Sequence, residues 1–365
     1  MNLTIFISTF NRPKFIDLLF YYFNRLNFDC NFVVLDGSEK KFRKENLKII
    51  KKYRNLFTGK IIYKHANKQL AEIYNIASKV KTKFCLLTND DDLPGKKFII
   101  ESIEFLNQNK NFVTTNGYIA TSNIKFYADN FKFNNYRFSN YPRININRNS
   151  VDKRFLQFNY KEGFAFTIYR SSDFKNIFKM IRNCCKIIKD STKKIEHVAS
   201  FKLMTIAFSV YNIFKGKIKI SNKLMMTRIN HQFNQSSSID YYEPLGGYHV
   251  TDFHKDNTKY FDTLIKELGN FLGRKNILHI KNLVYLHVFM NIGQRIPRFF
   301  YKTHKDLNPN KFNLKQKYDI YKFFPEYYYF RIKNFFNKLN LLENFRFNFY
   351  NSKEIEFLKS LEKEH

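Results

Sequence analysis

A short apolar run that ends in three consecutive carboxylates constrains the fold of this chain more than any other feature. The run is residues 83–89, KFCLLTN, and it is followed directly by Asp90, Asp91 and Asp92 and then by the turn-forming sequence LPG. Apolar runs of this length, bounded by turn residues, are typical of a central strand in a parallel sheet that helices cover on both faces. We therefore predict a buried strand that ends in an acidic turn.

Three adjacent carboxylates repel one another, so this turn is expected to face water, a metal ion or a basic partner. Side chains two residues apart in an extended strand point the same way, with their Cα atoms about 6.5 Å apart. Asp90 and Asp92 are therefore expected to address one divalent ion, with Asp91 turned away. Carboxylate oxygens suit Mg²⁺ or Mn²⁺, which often bridge a protein carboxylate to a phosphate. The alternative is a solvated loop whose aspartates make local hydrogen bonds.

Strand-like segments and amphipathic helical patterns alternate along the first part of the chain. The predicted strands are residues 3–9, 32–35, 61–63, 83–89 and 111–118, and helical patterns fill the intervals between them. Such alternation predicts an α/β fold with a mostly parallel, Rossmann-like central sheet flanked by helices. The first helix is expected to be capped by Asn11, with Pro13 in its first turn.

Three polar clusters fall at the carboxyl ends of the predicted strands, where ligands bind in parallel sheets. They are residues 9–12, 36–38 and 90–92. Taken singly, residues 36–38 are a turn and Arg12 is a surface charge. Their convergence at one edge of the sheet favours a ligand-binding site.

These clusters, in this order and spacing, resemble the nucleotide-sugar-binding half of the family-2 glycosyltransferases, which have the GT-A fold. Residues 9–13, TFNRP, resemble the opening loop of that family, and residues 34–38, VLDGS, resemble its Val-Asp-Asp-Gly-Ser. The resemblance spans about residues 1–230 and implies that Asp36 reads the donor base, although Leu35 replaces the first acid of the motif. The donor-binding residues that it implies in the opening loop are Thr9, Asn11 and Arg12.

Two further segments extend the resemblance. Residues 70–77, LAEIYNIA, are similar to the helix that backs the donor pocket, which implies a donor contact for Asn75. Residues 88–92, TNDDD, resemble the metal-binding Asp-x-Asp, which implies that Asp92 holds Mg²⁺ or Mn²⁺ and that Asp90 lies near the donor ribose. The implied metal ligands here are Asp92 and Asp90, and the implied donor contacts are Asp90 and Asp91.

The second half of the resemblance supplies a candidate catalytic base. Residues 163–170, GFAFTIYR, resemble the glycine-led strand that precedes the catalytic helix in the family. Glu196-His197 then stands where the family has Glu-Asp, ahead of a Gly-Lys pair that starts at Gly216. Either side chain is chemically able to be the general base that deprotonates the acceptor, and we prefer Glu196 because it matches the family pattern at its position. The alternative is an exposed glutamate that the helix dipole favours at a helix start.

The last motif, residues 227–236 (TRINHQFNQS), resembles the flexible segment that closes over the donor in the family. It implies that Arg228 contacts the diphosphate and that His231 ligates the metal or contacts a phosphate. The alternative for His231 is a structural histidine whose hydrogen bonds are satisfied within the fold.

The chain is expected to divide near residue 242. Residues 1–242 are expected to form the GT-A domain, with a nucleotide-sugar-binding half over 1–118 and an acceptor-side half over 119–242. Residues 119–152 are expected to be an acceptor-facing insertion or paired edge strands. Residues 243–365 are expected to form a helical, basic and aromatic C-terminal region. That region is either an appendage packed on the domain or a surface that binds the anionic inner face of the cytoplasmic membrane.

The composition favours anionic partners and a cytoplasmic location. The formal net charge of +32 suits nucleotide phosphates, acidic glycans, anionic lipids or nucleic acid. The four cysteines lack the spacing of a disulfide framework or a CxxC motif, and the first residues lack the features of a signal peptide.

We expect a metal-dependent, inverting, hexosyltransferase-like glycosyltransferase that moves a sugar from a nucleoside-diphosphate sugar to a glycan or lipid-linked acceptor. The resemblance implies a place in bacterial surface polysaccharide assembly. One alternative is a basic protein that binds single-stranded nucleic acid without catalysis; the acidic clusters and the lack of a nucleic-acid motif oppose it. The other is a nucleotidyltransferase, but residues 8–13 contain no glycine for a phosphate loop.

Overall fold

The fold is built on a nine-stranded mixed sheet with helices packed against it, as seen in a computed structural model of the chain. The structure describes residues 1–66, 69–127, 131–138, 145–157, 164–185, 204, 207–230, 262–278, 280–281, 284 and 353–361. Within these ranges the buried apolar side chains form one contiguous core.

The first four strands form the parallel half of the sheet. They are β1 (Leu3–Thr9), β2 (Asn31–Asp36), β3 (Ile61–His65) and β4 (Phe84–Asn89), in the order β3-β2-β1-β4. Thr9 pairs with Asp36 in the register of β1 and β2, and Ser8 pairs with Asn89 in that of β1 and β4. The predicted parallel strand and helix alternation is confirmed here, and it brings the carboxyl ends of three strands side by side.

Four helices follow the strands of this half. They are α1 (Pro13–Arg25), α2 (Lys40–Tyr53), α3 (Gln69–Ala77) and α4 (Lys96–Gln108). The apolar spacing of residues 15–26 predicts one buried helix face, and five of its six residues are buried: Phe15, Leu18, Leu19, Tyr22 and Phe23. Leu26, the sixth, follows the helix and is partly exposed. Pro13 lies in the first turn as predicted, because its fixed φ suits the start of a helix and its missing N–H is not needed there.

The second half of the sheet is mixed rather than parallel. Its strands are β5 (Asp92–Pro94), β6 (Phe112–Phe126), β7 (Phe131–Phe138), β8 (Tyr169–Arg170) and β9 (Lys217–Asn230). The order continues β4-β8-β6-β9-β5, with β7 paired to β6. Among the described pairs of this half, β6 with β9 is parallel. The pairs of β8 with β4 and β6, of β5 with β9 and of β7 with β6 are antiparallel. Of the two expectations for residues 119–152, the described part shows paired strands.

The acidic turn lies where the sheet returns to itself. Asp90 and Asp91 alone separate β4 from β5 along the chain, yet β8, β6 and β9 lie between those two strands in the sheet. The sheet therefore curls, so that β5, the last strand in the sheet order, begins close to the carboxyl end of β4. Gly95 permits the closure, because a Cβ there would lie 2.1 Å from the carbonyl oxygen of Leu224.

The remaining helices cover the second half of the sheet and include parts of the C-terminal region. They are α5 (Val151–Gln157), α6 (Ser171–Cys185), α7 (207–215), α8 (262–272) and α9 (Lys353–Ser360), with 3₁₀ turns at Phe164–Phe166 and Arg274–Asn276. The side chain of Asn183 on α6 donates to Glu267 on α8 at 2.8 Å. The rings of Tyr22 on α1 and Phe357 on α9 lie 6.1 Å apart. The described helices beyond residue 242 thus pack on the sheet and its helices.

Among the helices that the structure describes, none combines the length and the apolar character needed to cross a membrane.

Candidate active site

The ends of β1, β2 and β4 form a continuous polar row. The backbone N–H of Gly37 donates to the carbonyl of Thr9 at 3.1 Å, and that of Asp90 donates to the carbonyl of Ser8 at 3.1 Å. The hydroxyl of Thr9 donates to Oδ2 of Asp90 at 2.5 Å. Each of the three clusters that the sequence placed at strand ends therefore touches its neighbour.

Arg12 neutralises two carboxylates of the acidic turn at once. Its Nη1 donates to Oδ2 of Asp91 at 2.8 Å, and its Nη2 donates to Oδ1 of Asp90. The Arg12 side chain is only 12% exposed and that of Asp90 is fully buried. Burial opposes the charge on Arg12, but the two aspartates outweigh it and raise the arginine pKa. Arg12 is thus a buried counter-ion and not a surface charge.

Asp92 has a different cationic partner, Arg228, which faces it across β5 and β9. The two residues are paired in the strand register, and Nε of Arg228 donates to Oδ1 of Asp92 at 3.0 Å. Nδ2 of Asn89 donates to Oδ2 of Asp92 at 3.2 Å. The Asp92 side chain is 1% exposed, whereas that of Arg228 is 39% exposed. Burial raises the pKa of Asp92, and Arg228 acts in the opposite direction.

The grouping of the three aspartates differs from the one predicted. Asp90 and Asp91 share Arg12, while Asp92 stands apart with its own arginine, so Asp91 is not the residue turned away. The reason is the backbone: β4 ends at Asn89 and β5 begins at Asp92, so the first two aspartates form a turn. The side-chain alternation of an extended strand therefore does not apply to Asp90 and Asp91.

Burial also raises the pKa of Asp90 to about 7, against the effect of Arg12.

Asp36 is held by neutral donors instead of a cation. Its Oδ1 accepts the backbone N–H of Ser38 at 2.7 Å, and its Oδ2 accepts Nδ2 of Asn46 at 2.9 Å and the hydroxyl of Tyr63 at 2.7 Å. Asp36 is fully buried. Burial, together with the bond to Asp36, raises the pKa of Tyr63. The carboxylate therefore anchors the loop that follows β2.

Sequence reasoning missed Asn46 and Tyr63. Asn46 had a usable signal, since it is a polar residue at a fully buried position of the amphipathic helix α2. Tyr63 had none, because its hydroxyl reaches Asp36 only through the register of β2 and β3.

Asn11 links two loops and does not cap α1, so the capping prediction was wrong. The N-cap position is Arg12, and no side chain caps it. Asn11 has a φ of 54°, in the left-handed region, which asparagine tolerates better than most residues. Its N–H donates to Oγ of Ser38 at 2.7 Å, and its Oδ1 accepts the N–H of Glu39 at 2.9 Å. It therefore joins the first and second strand ends.

The structure does not place every predicted residue in this cluster. Asn75 lies where α3 meets α6: it donates to Glu72 at 2.9 Å and accepts from Arg182 at 3.3 Å, and neither partner belongs to the acidic turn. Glu196 and His231 lie outside the described residues, so their roles stay predictions.

The acidic turn suits a divalent cation in its chemistry, with few protein ligands. In the described ranges, no group of three or more His, Cys, Asp or Glu side chains is placed to hold a metal ion. Mg²⁺, however, is commonly held by one or two carboxylates and completed by phosphate oxygens and water. The three carboxylates of the turn outnumber the two guanidinium groups that pair with them, so the turn carries a net negative charge once Asp90 is ionised, above its raised pKa of about 7.

The architecture is similar to that of solved structures of S. aureus TarS. S. aureus TarS 1-349 in complex with UDP-GlcNAc aligns with a TM-score of 0.50 and 16% identity, over 95% of this chain and 92% of that one. The chain has a GT-A-like fold. TarS 1-349 in complex with UDP gives a TM-score of 0.47 and 13% identity, over 90% of this chain and 80% of that one. No protein-family model matches the sequence, and no curated protein matches it closely.

The GT-A-like fold confirms the fold class that the sequence motifs implied. At this level of identity the likeness establishes the fold alone. What the site does must therefore be argued from its own residues.

Proposed function

We propose that the protein is a glycosyltransferase that moves a sugar from a nucleoside-diphosphate sugar to an acceptor hydroxyl. The observation that supports this most is the polar row of Thr9, Asp36 and Asp90, joined to the acidic turn and its two arginines at the carboxyl edge of a GT-A-like sheet. A UDP-sugar is the proposed donor class, because the TarS structure of the same fold contains UDP-GlcNAc.

The donor is proposed to lie along the row of strand ends. The loop fixed by Asp36 would face the base, and Asp90 and Asp91 would flank the ribose and diphosphate. Arg228 is suited to the diphosphate because its side chain is 39% exposed beside the buried Asp92. Its planar guanidinium can donate to two phosphate oxygens at once.

Mg²⁺ or Mn²⁺ is the proposed cofactor, held by Asp92 with Asp90 nearby and with His231 as a further ligand or phosphate contact. A divalent ion bound there would stabilise the negative charge that develops on the leaving diphosphate. The chain's own contribution is to keep the carboxylates buried, oriented and paired until the donor arrives.

Glu196 is the proposed general base. Its carboxylate would take the proton of the acceptor hydroxyl while that oxygen attacks the anomeric carbon from the face opposite the leaving diphosphate. Such a displacement inverts the anomeric centre. The proposed acceptor is a glycan or a lipid-linked glycan of surface polysaccharide assembly, and the basic C-terminal region would favour an anionic membrane surface.

A pair of variants tests this assignment. Asp92→Ala is expected to lose metal-dependent binding of the donor together with turnover. Glu196→Gln is expected to bind the donor as the wild type does and to lose turnover, because only the proton transfer is removed. Thermal-shift screening of nucleotide sugars with and without Mn²⁺ measures binding, and release of UDP measures turnover.

The same screen separates the proposal from its competitor. If no nucleotide sugar shifts the melting temperature and the protein instead binds single-stranded RNA with a steep salt dependence, the nucleic-acid alternative is correct. A Glu196→Gln variant with a near-wild-type rate would refute the base assignment.

A further inference from the structure

The two arginines at the acidic turn are held in different ways. Arg12 is 12% exposed, touches both Asp90 and Asp91, and has its guanidinium 5.6 Å from the centre of the Phe15 ring. Arg228 is 39% exposed and pairs with one carboxylate in the described part of the chain, through Nε and Asp92. Its guanidinium also lies 5.8 Å from the centre of the Phe166 ring, and its Nη2 lies 4.0 Å from the sulfur of Met226. Arg12 is therefore shared by two carboxylates and largely covered, whereas Arg228 has one carboxylate partner and a more exposed guanidinium.

Arg228 also pairs with Asp92, the carboxylate that is proposed to bind the metal ion. The Asp92 side chain is only 1% exposed, and Arg228 and Asn89 occupy its two oxygens. A second cation at Oδ1 would lie within a few ångströms of the guanidinium, where like charges repel strongly in a buried setting. The arginine and the ion are thus competitors for one carboxylate.

We propose that Arg228 takes the place of the divalent cation on Asp92 in the donor-free protein and transfers to the donor's diphosphate when donor and cation bind together. This inference rests on the proposed function. A buried carboxylate without a partner is strongly destabilising, so Arg228 keeps the turn folded while the site is empty. The diphosphate offers the guanidinium a second anionic partner, and the vacated carboxylate then accepts the ion.

The exchange makes cation and donor binding depend on each other. A cation alone must displace Arg228 without offering it a new partner, so it binds weakly. A donor without a cation leaves the guanidinium divided between Asp92 and the diphosphate. Because coupling between two sites is reciprocal, each ligand should raise the affinity of the other by the same factor.

Direct measurement of Mn²⁺ binding tests the exchange without any turnover. The free Mn²⁺ signal in electron paramagnetic resonance is followed on titration of the full chain, with and without UDP. For the wild type we expect UDP to tighten Mn²⁺ binding by about tenfold or more. Arg228→Met is expected to bind Mn²⁺ without UDP about tenfold more tightly than the wild type does, because the competing cation is gone.

Two further variants keep the result interpretable. Arg54→Met removes one positive charge at the exposed end of α2 and should leave both Mn²⁺ affinities unchanged. Arg228→Gln removes the charge but keeps a side chain that can donate to Asp92, so it should also bind Mn²⁺ without UDP more tightly than the wild type. It decides the question if circular dichroism shows that Arg228→Met is unfolded.

The possible outcomes separate this inference from the proposed function. Equal Mn²⁺ affinity with and without UDP in the wild type, or no tightening in the folded Arg228 variants, overturns the exchange while UDP binding stands. Failure of UDP to bind the wild type under any Mn²⁺ concentration overturns the proposed function itself.

Discussion

At the scale of single residues, the site buries its carboxylates in two ways. Asp90, Asp91 and Asp92 are matched by guanidinium groups, whereas Asp36 is matched by three neutral donors. A buried charge needs such partners because removal from water is costly. The arginines are able to exchange a carboxylate partner for an anionic ligand, whereas the neutral donors around Asp36 are not. This difference fits the proposal that the loop after β2 contacts the donor base and stays rigid, while the acidic turn contacts the diphosphate and changes its partners.

Tyr63→Phe tests the rigid part of the site. It removes one of the two donors to Oδ2 of Asp36, and hydrogen bonds to a charged group contribute about 1.5–3 kcal/mol. We expect the free energy of unfolding to fall by about 1.5 kcal/mol in urea denaturation. Tyr127→Phe, at a side chain that is 51% exposed, is the matched control and should change nothing. A Tyr63→Phe protein as stable as the wild type would show that this bond does not hold the loop.

Asp173 on α6, which lies away from the site, makes the free energy of unfolding depend on pH. Burial raises its pKa, and the hydroxyl of Tyr211, which donates to Oδ1 at 2.7 Å, partly opposes the shift. A carboxyl whose pKa is higher in the folded state binds more protons there, so stability falls as the pH rises above the unfolded value of about 3.9.

Asp173→Asn should therefore gain stability relative to the wild type as the pH rises from about 4 to 7. The amide oxygen can still accept from Tyr211, and the ionised form is no longer available. Urea denaturation across this pH range measures the difference. Asp17→Asn, at a side chain that is 40% exposed, is the control. A difference between Asp173→Asn and the wild type that stays constant with pH would contradict the assignment.

The residues of the site were predictable to the extent that strand ends can be read from the sequence. Thr9, Arg12, Asp36 and the three aspartates were named from strand ends and from the family resemblance, Arg228 from the resemblance alone, and the structure brings them together. The ion pairs themselves were not predictable. They depend on a turn replacing an extended strand at Asp90 and on the register of β5 with β9, which juxtaposes residues far apart in the chain.

At the scale of elements, the first half of the sheet followed from the sequence and the second half only in part, since β6 overlaps the strand predicted over 111–118. Strands β1 to β4 are apolar runs separated by helices, so local patterning specifies them. Strands β5 and β8 have only three and two residues, too few for any periodic signal. They exist because long-range pairing with β9, β4 and β6 satisfies their backbone groups.

Gly95→Ala tests the closure of the curled sheet. The added Cβ would lie 2.1 Å from the carbonyl oxygen of Leu224, so β5 and β9 must separate. Overpacking of this kind costs about 1–3 kcal/mol, and we expect a fall in the free energy of unfolding within that range. Gly269→Ala, whose Cβ would meet only the movable side chain of Ile277 at 3.3 Å, is the control with the smaller expected effect. Equal stability of the two variants would mean that the closure tolerates separation.

At the scale of the whole molecule, the described C-terminal helices share the core of the sheet. Leu358 and Leu361 at the end of α9 are buried in the same hydrophobic cluster as the strands, and so are Leu264 and Leu268 on α8. The basic and aromatic composition of the C-terminal region therefore does not by itself indicate a separate unit.

Leu358→Ala tests whether α9 unfolds together with the sheet. Truncation of a buried leucine costs about 2–5 kcal/mol, and if α9 unfolds with the sheet the whole loss appears in one transition. Leu278→Ala, at a side chain that is 55% exposed, is the control and should be near neutral. Calorimetry that showed an unchanged main transition for Leu358→Ala would indicate that α9 is dispensable for the core.

The central claim is that the acidic turn binds a donor diphosphate together with a divalent cation. The most direct test is a crystal structure of the protein with UDP and Mn²⁺, with anomalous diffraction used to locate the manganese. We expect a manganese peak near the diphosphate and the Asp92 carboxylate, with Arg228 moved onto a phosphate oxygen. Nucleotide bound elsewhere, or a diphosphate at the turn with Arg228 still on Asp92 and no manganese beside it, would contradict it.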